Sequence, residues 1–426
     1  MIKIFANFIN SFNYNNRLSM YKIPKNIIER EAYTSRIKPF MNKPLIKVLT
    51  GQRRVGKSYL LFQIMRIVEK TTINANIIYI NCEDMAFDFI DSARKLNDYL
   101  LSQINPAVRN YIFIDEIQDI PDFEKTLRSI ILKDYNDVYI TGSNAKMLSG
   151  ELASYLSGRH IEIEIFSLSY TEFLLFHRIE NDRESYLKYI RFGGLPYLIH
   201  LELKEEIVAE YLKNIYTTII YRDVVSRYNL RDTAFLERLT YFIADNIGSI
   251  FSSKNISDFL KSQKATVSVN QVQNYTGYLV NAFLIHQVKR YDIAGKKIFE
   301  VGEKYYFENL GIRNAIAGYK IEDRGKILEN VIYNHLLYKG YSVKVGISRT
   351  NEIDFVCERK AEKLYIQAAL KINDANTINR EFGNLLKIQD NYPKLVITEE
   401  EFKGNTYKGI IHMNVLYFLS NENGYL

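Results

Sequence analysis

Two glycines, a lysine and a serine stand at fixed spacing in residues 51–58, which read G-Q-R-R-V-G-K-S. Gly51 and Gly56 have no Cβ, so the backbone between them can wrap closely around a bound group. An apolar stretch at 45–50 precedes the loop, and a helical pattern at 59–68 follows it. A strand, a glycine-rich turn and a helix N-terminus are the setting in which this motif binds phosphates. The alternative is a chance glycine-rich turn before a helix.

The chemistry of the loop gives a role to its polar side chains. Lys57 is expected to reach the β- and γ-phosphates of a nucleoside triphosphate, and Ser58 is expected to ligate Mg²⁺. The loop N–H groups and the helix N-terminus supply positive potential. The residues predicted to bind nucleotide are Gly51, Gln52, Arg53, Arg54, Val55, Gly56, Lys57, Ser58 and Tyr59.

A second motif consists of four apolar residues followed by Asp115 and Glu116, a pattern typical of a Walker B strand. Asp115 would hold Mg²⁺, directly or through water, and Glu116 would orient and polarise the attacking water. The alternative is a buried strand that ends in two solvated acids. Downstream of a phosphate loop, the pattern favours the catalytic interpretation.

A third apolar run, at 137–140, leads into Ser143 and Asn144. A polar side chain at this place can sense the γ-phosphate and position water. Asn144 is therefore a catalytic candidate, and it is equally suited to be a simple turn residue.

These motifs require a sheet to bring them together, and strand and helix patterns do alternate through residues 45–165. Strands separated by helices predict a parallel sheet covered by helices, an α/β fold. The nucleotide is expected at the carboxyl ends of the strands. The candidate strands are 45–50, 77–80, 111–115, 137–141 and 161–165.

The pattern then becomes helical from residue 169 to about residue 228, which predicts a small helical subdomain. Residues 236–306 suggest a winged helix, because two helical patterns precede two strands around a turn at 292–295. From residue 249 to residue 306 there are eight Lys or Arg residues against four Asp or Glu residues. This charge fits a DNA-reading helix with a basic wing. It fits equally well a protein-contact winged helix with a solvated basic face.

The composition sets limits on the other possibilities. The chain has 426 residues, enough for two to four domains, and carries a formal net charge of +7. Two distant cysteines, Cys82 and Cys357, form no disulfide framework, which fits a reducing cytoplasm. The six histidines show no ligand spacing. No apolar run is long enough to span a bilayer, so no membrane contact is expected, and residues 1–21 are interpreted as a disordered extension.

The chain from residue 22 onward resembles a largely uncharacterised family of archaeal-type AAA+ ATPases. The resemblance implies a P-loop ATPase core at 22–166, a helical subdomain at 167–235, a winged helix at 236–306 and a restriction-endonuclease-like α/β domain at 307–426. It also favours ATP as the nucleotide. The segments that carry it are Gly51–Ser58, Ile114–Gln118, Thr141–Asn144, Leu156–Arg159, Gly193–Pro196 and Glu352–Phe355.

Two arginines are candidates for an arginine finger. Arg159 follows the predicted sensor strand closely, and an arginine there could stabilise charge on the transferring phosphoryl group, within one chain or across an assembly. Arg222 is the second candidate. The alternative for both is a salt bridge between the core and the helical subdomain.

The C-terminal domain departs from an active nuclease of its fold. Such an enzyme holds Mg²⁺ with an Asp and with a Glu-x-Lys on the next strand. Glu329 and Asp354 stand at suitable positions, but the next strand reads Gln367-Ala368-Ala369. Gln367 is a neutral and weaker Mg²⁺ ligand. Lys371 lies two residues farther on, so rescue by it is conceivable, but a degraded site is the favoured interpretation.

The sequence thus predicts an ATPase that uses ATP and Mg²⁺ as a switch, with Glu116, Arg159 and Asn144 as catalytic residues and with Ser58 and Asp115 on the metal. Double-stranded DNA, a protein or a second copy of the chain are the partners considered. One alternative is an ATP-regulated DNA nuclease that uses Glu329, Asp354 and Lys371. The other is a signalling scaffold that binds nucleotide without hydrolysing it.

Overall fold

Five short runs of apolar and β-branched residues form one parallel sheet. In a parallel sheet that is covered on both faces, strands are apolar throughout rather than alternating, and every residue of the three inner strands β1, β3 and β4 is buried. The strand order is β2-β3-β4-β1-β5, with all pairs parallel. The strands are β1 (Ile46–Thr50), β2 (Asn76–Asn81), β3 (Asn110–Asp115), β4 (Asn136–Gly142) and β5 (His160–Glu164).

The structure is a computed structural model. It describes residues 22–145, 156, 158–262, 267–348, 351–372, 375–400 and 406–421. The predicted extension at 1–21 and Ser157 of the Leu156–Arg159 motif lie outside the described residues. The chain divides into two units. The first contains the residues up to Gly51 and Gly56–Ile165, and the second contains Gln52–Val55 and the chain from Phe166.

Amphipathic helices cover the sheet of the first unit. The helix after β1 buries Leu60, Leu61, Ile64, Met65 and Val68, which recur three or four residues apart and so share one face. The aliphatic core contains side chains from four of the strands and from the helices beside them. The helices are α1 (Glu31–Ile37), α2 (Lys57–Thr71), α3 (Ala93–Gln103) and α4 (Phe123–Ile130).

The second unit begins with a helical region. A capping box between Ser169 and Glu172 fixes the start of its first helix. The helical pattern predicted up to about residue 228 includes a helix from Glu205, in which the segment Ile219–Ser226 is π-helical. The helices are α5 (Tyr170–His177), α6 (Arg183–Phe192), α7 (Glu205–Thr218), α8 (Thr233–Asp245), α9 (Ser253–Ser262), α10 (Val269–Asn281), α11 (Leu310–Ala317), α12 (Arg324–Tyr338), α13 (Ala375–Leu386) and α14 (Val415–Ser420).

A mixed sheet of eight strands completes the second unit, in the order β12-β13-β11-β10-β9-β8-β6-β7. The hairpin predicted as a wing is β6 with β7, and β6 also pairs with β8. One sheet therefore crosses the predicted boundary at 306/307, and the assignment of two separate domains there stays a prediction. The strands are β6 (Ile285–Asp292), β7 (Lys297–Phe307), β8 (Ser342–Ser348), β9 (Asn351–Arg359), β10 (Glu362–Ala369), β11 (Lys394–Thr398), β12 (Thr406–Tyr407) and β13 (Ile410–Asn414).

The α/β fold class is confirmed, with a parallel core and a further sheet in the C-terminal half. Each of the five strands predicted in 45–165 is present within a residue or two of its expected bounds. In α10, Val272 and Leu279 lie seven residues apart on one face of the helix and are both fully buried. Within the described residues, no helix is long and apolar enough to cross a membrane.

Candidate nucleotide site

The phosphate loop leaves the sheet at the carboxyl end of β1, an inner strand that lies between β4 and β5. Gly51 has φ +140°, and a Cβ at this position would lie 2.1 Å from the carbonyl oxygen of Ile165, so only glycine fits. Gly56 has φ +97° and immediately precedes α2, which begins at Lys57. The loop therefore ends on a helix N-terminus, where free N–H groups and the helix dipole attract an anion.

The ammonium group of Lys57 lies over this loop and is almost completely buried. Its Nζ donates a hydrogen bond to the Gly51 carbonyl oxygen at 3.1 Å and stands 3.5 Å from Oε1 of Glu116. A buried cation that faces a loop of N–H donors creates a strong local attraction for phosphate oxygens.

Asp115, at the carboxyl end of β3, is next to Ser58 and Thr141. Both hydroxyls donate hydrogen bonds to its carboxylate. Burial and the neighbouring Glu116 raise the pKa of Asp115, while the two hydroxyls and Lys57 act in the opposite direction. The cost of burying this carboxylate is thus only partly offset by the protein, and a divalent cation would offset more of it.

The donor set fits Mg²⁺. Ser58 and Asp115 bring a hydroxyl and a carboxylate oxygen together, and Mg²⁺ favours such hard ligands along with waters and substrate phosphates. In the described part of the chain, no group of three or more His, Cys, Asp or Glu side chains is arranged to hold a metal. A Mg²⁺ at Ser58 and Asp115 would therefore rely on the nucleotide for part of its coordination.

Glu116 is held in an unusual backbone conformation. Its φ is +55°, in the left-handed region, and its N–H donates to Oγ1 of Thr141 at 2.8 Å. Gln118 donates from Nε2 to Oε2 of Glu116 at 2.6 Å, and the same nitrogen is 3.4 Å from Oγ of Ser143. Strained conformations persist where surrounding contacts over-determine them, and they cluster at functional sites.

The sequence did not assign roles to Thr141 and Gln118. Thr141 links the two acids, because its hydroxyl donates to Asp115 and accepts from the N–H of Glu116. Gln118 orients the carboxylate of Glu116. Both residues lie in segments that carry the family resemblance, so their positions could have been singled out from the sequence. Their hydrogen-bond partners could not, because these bonds connect β3 with β4 and with the turn after β3.

Asn144 and Ser143 are brought to the same edge of the sheet. They follow Gly142, the last residue of β4, which lies beside Thr50 in β1. Both side chains are buried. The sensor role of Asn144 remains a prediction, and its position suits it.

Arg159 lies at the opposite edge of the sheet. Its carbonyl accepts the N–H of Ile46, the first residue of β1, at 2.9 Å. From there β5 runs parallel to β1, with His160 beside Ile46 and Glu164 beside Thr50. The phosphate loop starts after the last residue of β1, roughly 15 Å away at about 3.3 Å per strand residue. The structure therefore does not bring Arg159 to the nucleotide of its own chain, and a role toward a neighbouring subunit stays a prediction.

Two loop side chains are engaged with protein groups inside the second unit. The guanidinium of Arg53 donates from Nε at 3.0 Å and from Nη2 at 2.9 Å to the two oxygens of Asp223, and this ion pair is buried. Gln52 donates from Nε2 to the carbonyl oxygen of Phe283 at 2.9 Å. Their contacts with a nucleotide stay predictions, and the backbone N–H groups are the part of these residues suited to them.

The remaining loop candidates differ in exposure. Val55 is fully buried. Arg54 is exposed and has φ +71°, and Tyr59 is half-exposed. Arg222 is exposed, beside the buried Asp223. Their contacts with nucleotide stay predictions.

In the C-terminal half, Glu329 and Asp354 are brought together as the sequence predicts. Lys371 is not part of this cluster, because its exposed ammonium pairs with Glu400 at 2.6 Å. The cation that is present comes from Lys304 of β7, at 2.9 Å from Glu329 and 3.8 Å from Asp354. The sequence did not single out Lys304, because it is 25 residues from Glu329 and on another element.

Comparisons with known proteins agree with this site. A family profile described as an AAA domain matches residues 43–174, the segment that contains the whole constellation from Gly51 to Asn144. A second profile, described as a domain of unknown function (DUF8612), matches residues 183–323.

Full-length relatives have no assigned activity. An uncharacterised protein of Haemophilus influenzae is 36% identical over 396 residues, which cover 91% of this chain and 97% of that protein. An uncharacterised protein of Methanocaldococcus jannaschii is 32% identical over 359 residues, which cover 80% of this chain and 77% of that protein. Among solved structures, a Walker-type ATPase of Pyrococcus abyssi is similar with a TM-score of 0.47 and 14% identity, covering 68% of this chain and 96% of that chain.

Proposed function

The chain belongs to the same family as the Haemophilus influenzae and Methanocaldococcus jannaschii proteins and carries an AAA domain, and from this premise we propose that it is a Mg²⁺-dependent ATPase acting as a nucleotide switch. The observation that carries the proposal is the meeting of Lys57, Ser58, Asp115 and Glu116 at one edge of the sheet, with Thr141 joining the two acids. Each group has the chemistry that phosphoryl transfer to water needs.

The roles follow from the contacts. Lys57 would bind the β- and γ-phosphates, because phosphate oxygens offer its ammonium group more negative charge. Ser58 and Asp115 would hold Mg²⁺, which would supply charge neutralisation at the phosphates. Glu116, which accepts a hydrogen bond from Gln118, would accept a second one from the attacking water and polarise it.

The contact between Lys57 and Glu116 gives the site the property of a switch. In the structure, the Lys57 ammonium stands 3.5 Å from the Glu116 carboxylate. A bound triphosphate would compete with Glu116 for this ammonium, because its oxygens carry more negative charge. Binding of the nucleotide would thereby change the charge that faces the Glu116 carboxylate.

The test is hydrolysis of ATP by the purified protein, with Glu116→Gln as the paired variant. We expect Glu116→Gln to bind ATP but to lose at least about 100-fold in kcat. ATP that is bound tightly by wild type without turnover would favour the non-hydrolysing scaffold instead. The preference for ATP over GTP is tested in the same assay by competition.

DNA is the partner that we propose first. The hairpin formed by β6 and β7 presents exposed Lys289, Lys296 and Lys297, and Asn270, Gln273 and Asn274 of α10 are exposed as well. A basic hairpin beside a polar helix suits phosphate and groove contacts. Turnover that rises on addition of duplex DNA at low salt would support this partner, and turnover indifferent to DNA would favour a protein partner.

A further inference from the structure

A buried lysine stands among the acids of the C-terminal half. Nζ of Lys304 lies 2.6 Å from a carboxylate oxygen of Glu352, 2.9 Å from one of Glu329 and 3.8 Å from one of Asp354. The Lys304 side chain is only 3% exposed. Its three partners come from α12 and β9, whereas Lys304 itself comes from β7.

The neighbours of the cluster use much of its remaining hydrogen-bonding capacity. The hydroxyl of Tyr306 donates to Glu329 at 3.0 Å. Oδ2 of Asp354 accepts the N–H of Ala368 at 2.8 Å, and the N–H of Asp354 donates to Oε1 of Gln367 at 3.3 Å. Gln367 is thus occupied in fixing the backbone of Asp354.

The charges of the cluster depend on one another. Burial alone would lower the pKa of Lys304, but Glu329, Asp354 and Glu352 outweigh it and raise that pKa, so the ammonium stays charged. Burial, Glu329 and Glu352 raise the pKa of Asp354, and Lys304 opposes them. The lysine is therefore the cation that makes it possible to bury these acids together.

The same arrangement does not fit a divalent metal. An ion such as Mg²⁺ needs about six oxygen ligands near 2.1 Å, and the point at which these carboxylates converge is filled by the Lys304 nitrogen. We propose that Lys304 occupies the place that a metal ion would need among these carboxylates and closes this cluster to divalent cations. The proposal concerns residues outside the nucleotide site and does not depend on ATP hydrolysis.

Binding of Mn²⁺ to the nucleotide-free protein tests the proposal, with free Mn²⁺ measured by electron paramagnetic resonance. Asp115→Asn serves as the background, so that the nucleotide site does not contribute. We expect no Mn²⁺ site in Asp115→Asn alone. Adding Lys304→Met should create one site, at least tenfold tighter than any background binding, and Asp354→Asn as a third change should remove it.

Thermal melts give a second readout. Lys304→Met leaves buried acids without their cation, so its Tm should fall by several degrees and should recover in part with Mn²⁺. A folded Lys304→Met protein that neither binds Mn²⁺ nor responds to it would overturn the proposal.

The cluster with Lys304 in place can be tested even if Lys304→Met does not fold. Mn²⁺ should bind Asp115→Asn and Asp115→Asn/Asp354→Asn equally weakly. A stoichiometric Mn²⁺ site in the first protein that is missing in the second would show that Lys304 does not exclude metal, and would revive a nuclease role for this half of the chain.

Discussion

The guanidinium of Arg53 and the carboxylate of Asp223 form a buried, bidentate ion pair, although the two residues are 170 positions apart in the sequence. Arg53 is the third residue of the phosphate loop, and Asp223 lies in the π-helical segment Ile219–Ser226. π-Helical segments are rare and often mark functional positions. The pair holds a loop residue whose backbone N–H is predicted to contact phosphate.

Asp223→Asn should therefore weaken both stability and nucleotide binding. Removal of one partner from a buried ion pair costs about 3–5 kcal/mol, because the other charge remains buried. We expect a Tm lower by several degrees and a Kd for ATP raised about tenfold, which corresponds to about 1.4 kcal/mol. Thermal melts and titration with ATP measure the two effects.

Tyr221→Phe is the matched control for this change. It removes an exposed hydrogen bond to Glu237 from the same π-helical segment, and it should leave ATP binding as in wild type. If Asp223→Asn melted and bound ATP like Tyr221→Phe, the ion pair would have no part in holding the loop.

Thr141→Val should slow hydrolysis more than it weakens binding. The hydroxyl of Thr141 donates to Asp115 and accepts the N–H of Glu116 at 2.8 Å, so its loss leaves two buried polar groups without that partner, at a cost of about 1–3 kcal/mol. We expect kcat to fall about 10- to 100-fold, with a much smaller change in KM. Steady-state kinetics of Thr141→Val, with Thr141→Ser as a rescue, measures the effect.

The outcome for Thr141→Ser decides the interpretation. Serine keeps the hydroxyl and loses only the methyl group, so it should retain most of the activity. Equal losses in the two variants would assign the effect to packing of β4 instead of the bridge between the acids.

The sequence predicted the parts of the site that depend on local order. The loop at 51–58 and the pair Asp115 and Glu116 each sit inside one short motif, and their meeting follows from parallel strands whose carboxyl ends share an edge. The contacts of Asp223 and Lys304 could not be predicted in this way. Each residue reaches its partner through the packing of elements that are distant in the sequence.

The place of Arg159 in the sheet also follows from the sequence. A residue just before a parallel strand at 161–165 lies at the amino edge of the sheet, whereas the phosphate loop lies at the carboxyl edge. The direction of the strand therefore separates Arg159 from the loop of its own chain and leaves a role toward a neighbouring subunit as the prediction.

Charge reversal on the hairpin should remove any stimulation by DNA. Lys296 and Lys297 are exposed at the turn between β6 and β7. If the hairpin contacts phosphates, Lys296→Glu/Lys297→Glu should abolish the DNA-dependent rise in turnover and lower the salt dependence of binding by about two phosphate contacts. Basal turnover without DNA should be unchanged.

A pair of lysines far from the hairpin controls for net charge. Lys70 and Lys133 are both exposed in the first unit, and Lys70→Glu/Lys133→Glu makes the same change of charge. Loss of DNA stimulation in this control as well would point to a general electrostatic effect and away from the hairpin.

His335 should make the protein sensitive to acid. Burial, together with the nearby Lys339, lowers the pKa of His335 to about 3, and neither ring nitrogen has a hydrogen-bond partner among the described residues. The unfolded chain takes up a proton near pH 6.5, whereas the folded protein does not. The free energy of unfolding therefore falls as the pH drops below about 6.5, by about 1.4 kcal/mol per pH unit.

The variant His335→Phe cannot take up this proton. Between pH 6.5 and pH 5, its free energy of unfolding should fall by about 2 kcal/mol less than that of wild type. Urea unfolding at the two pH values measures the difference, with His200→Phe as the control, and parallel curves for wild type and His335→Phe would contradict the assignment.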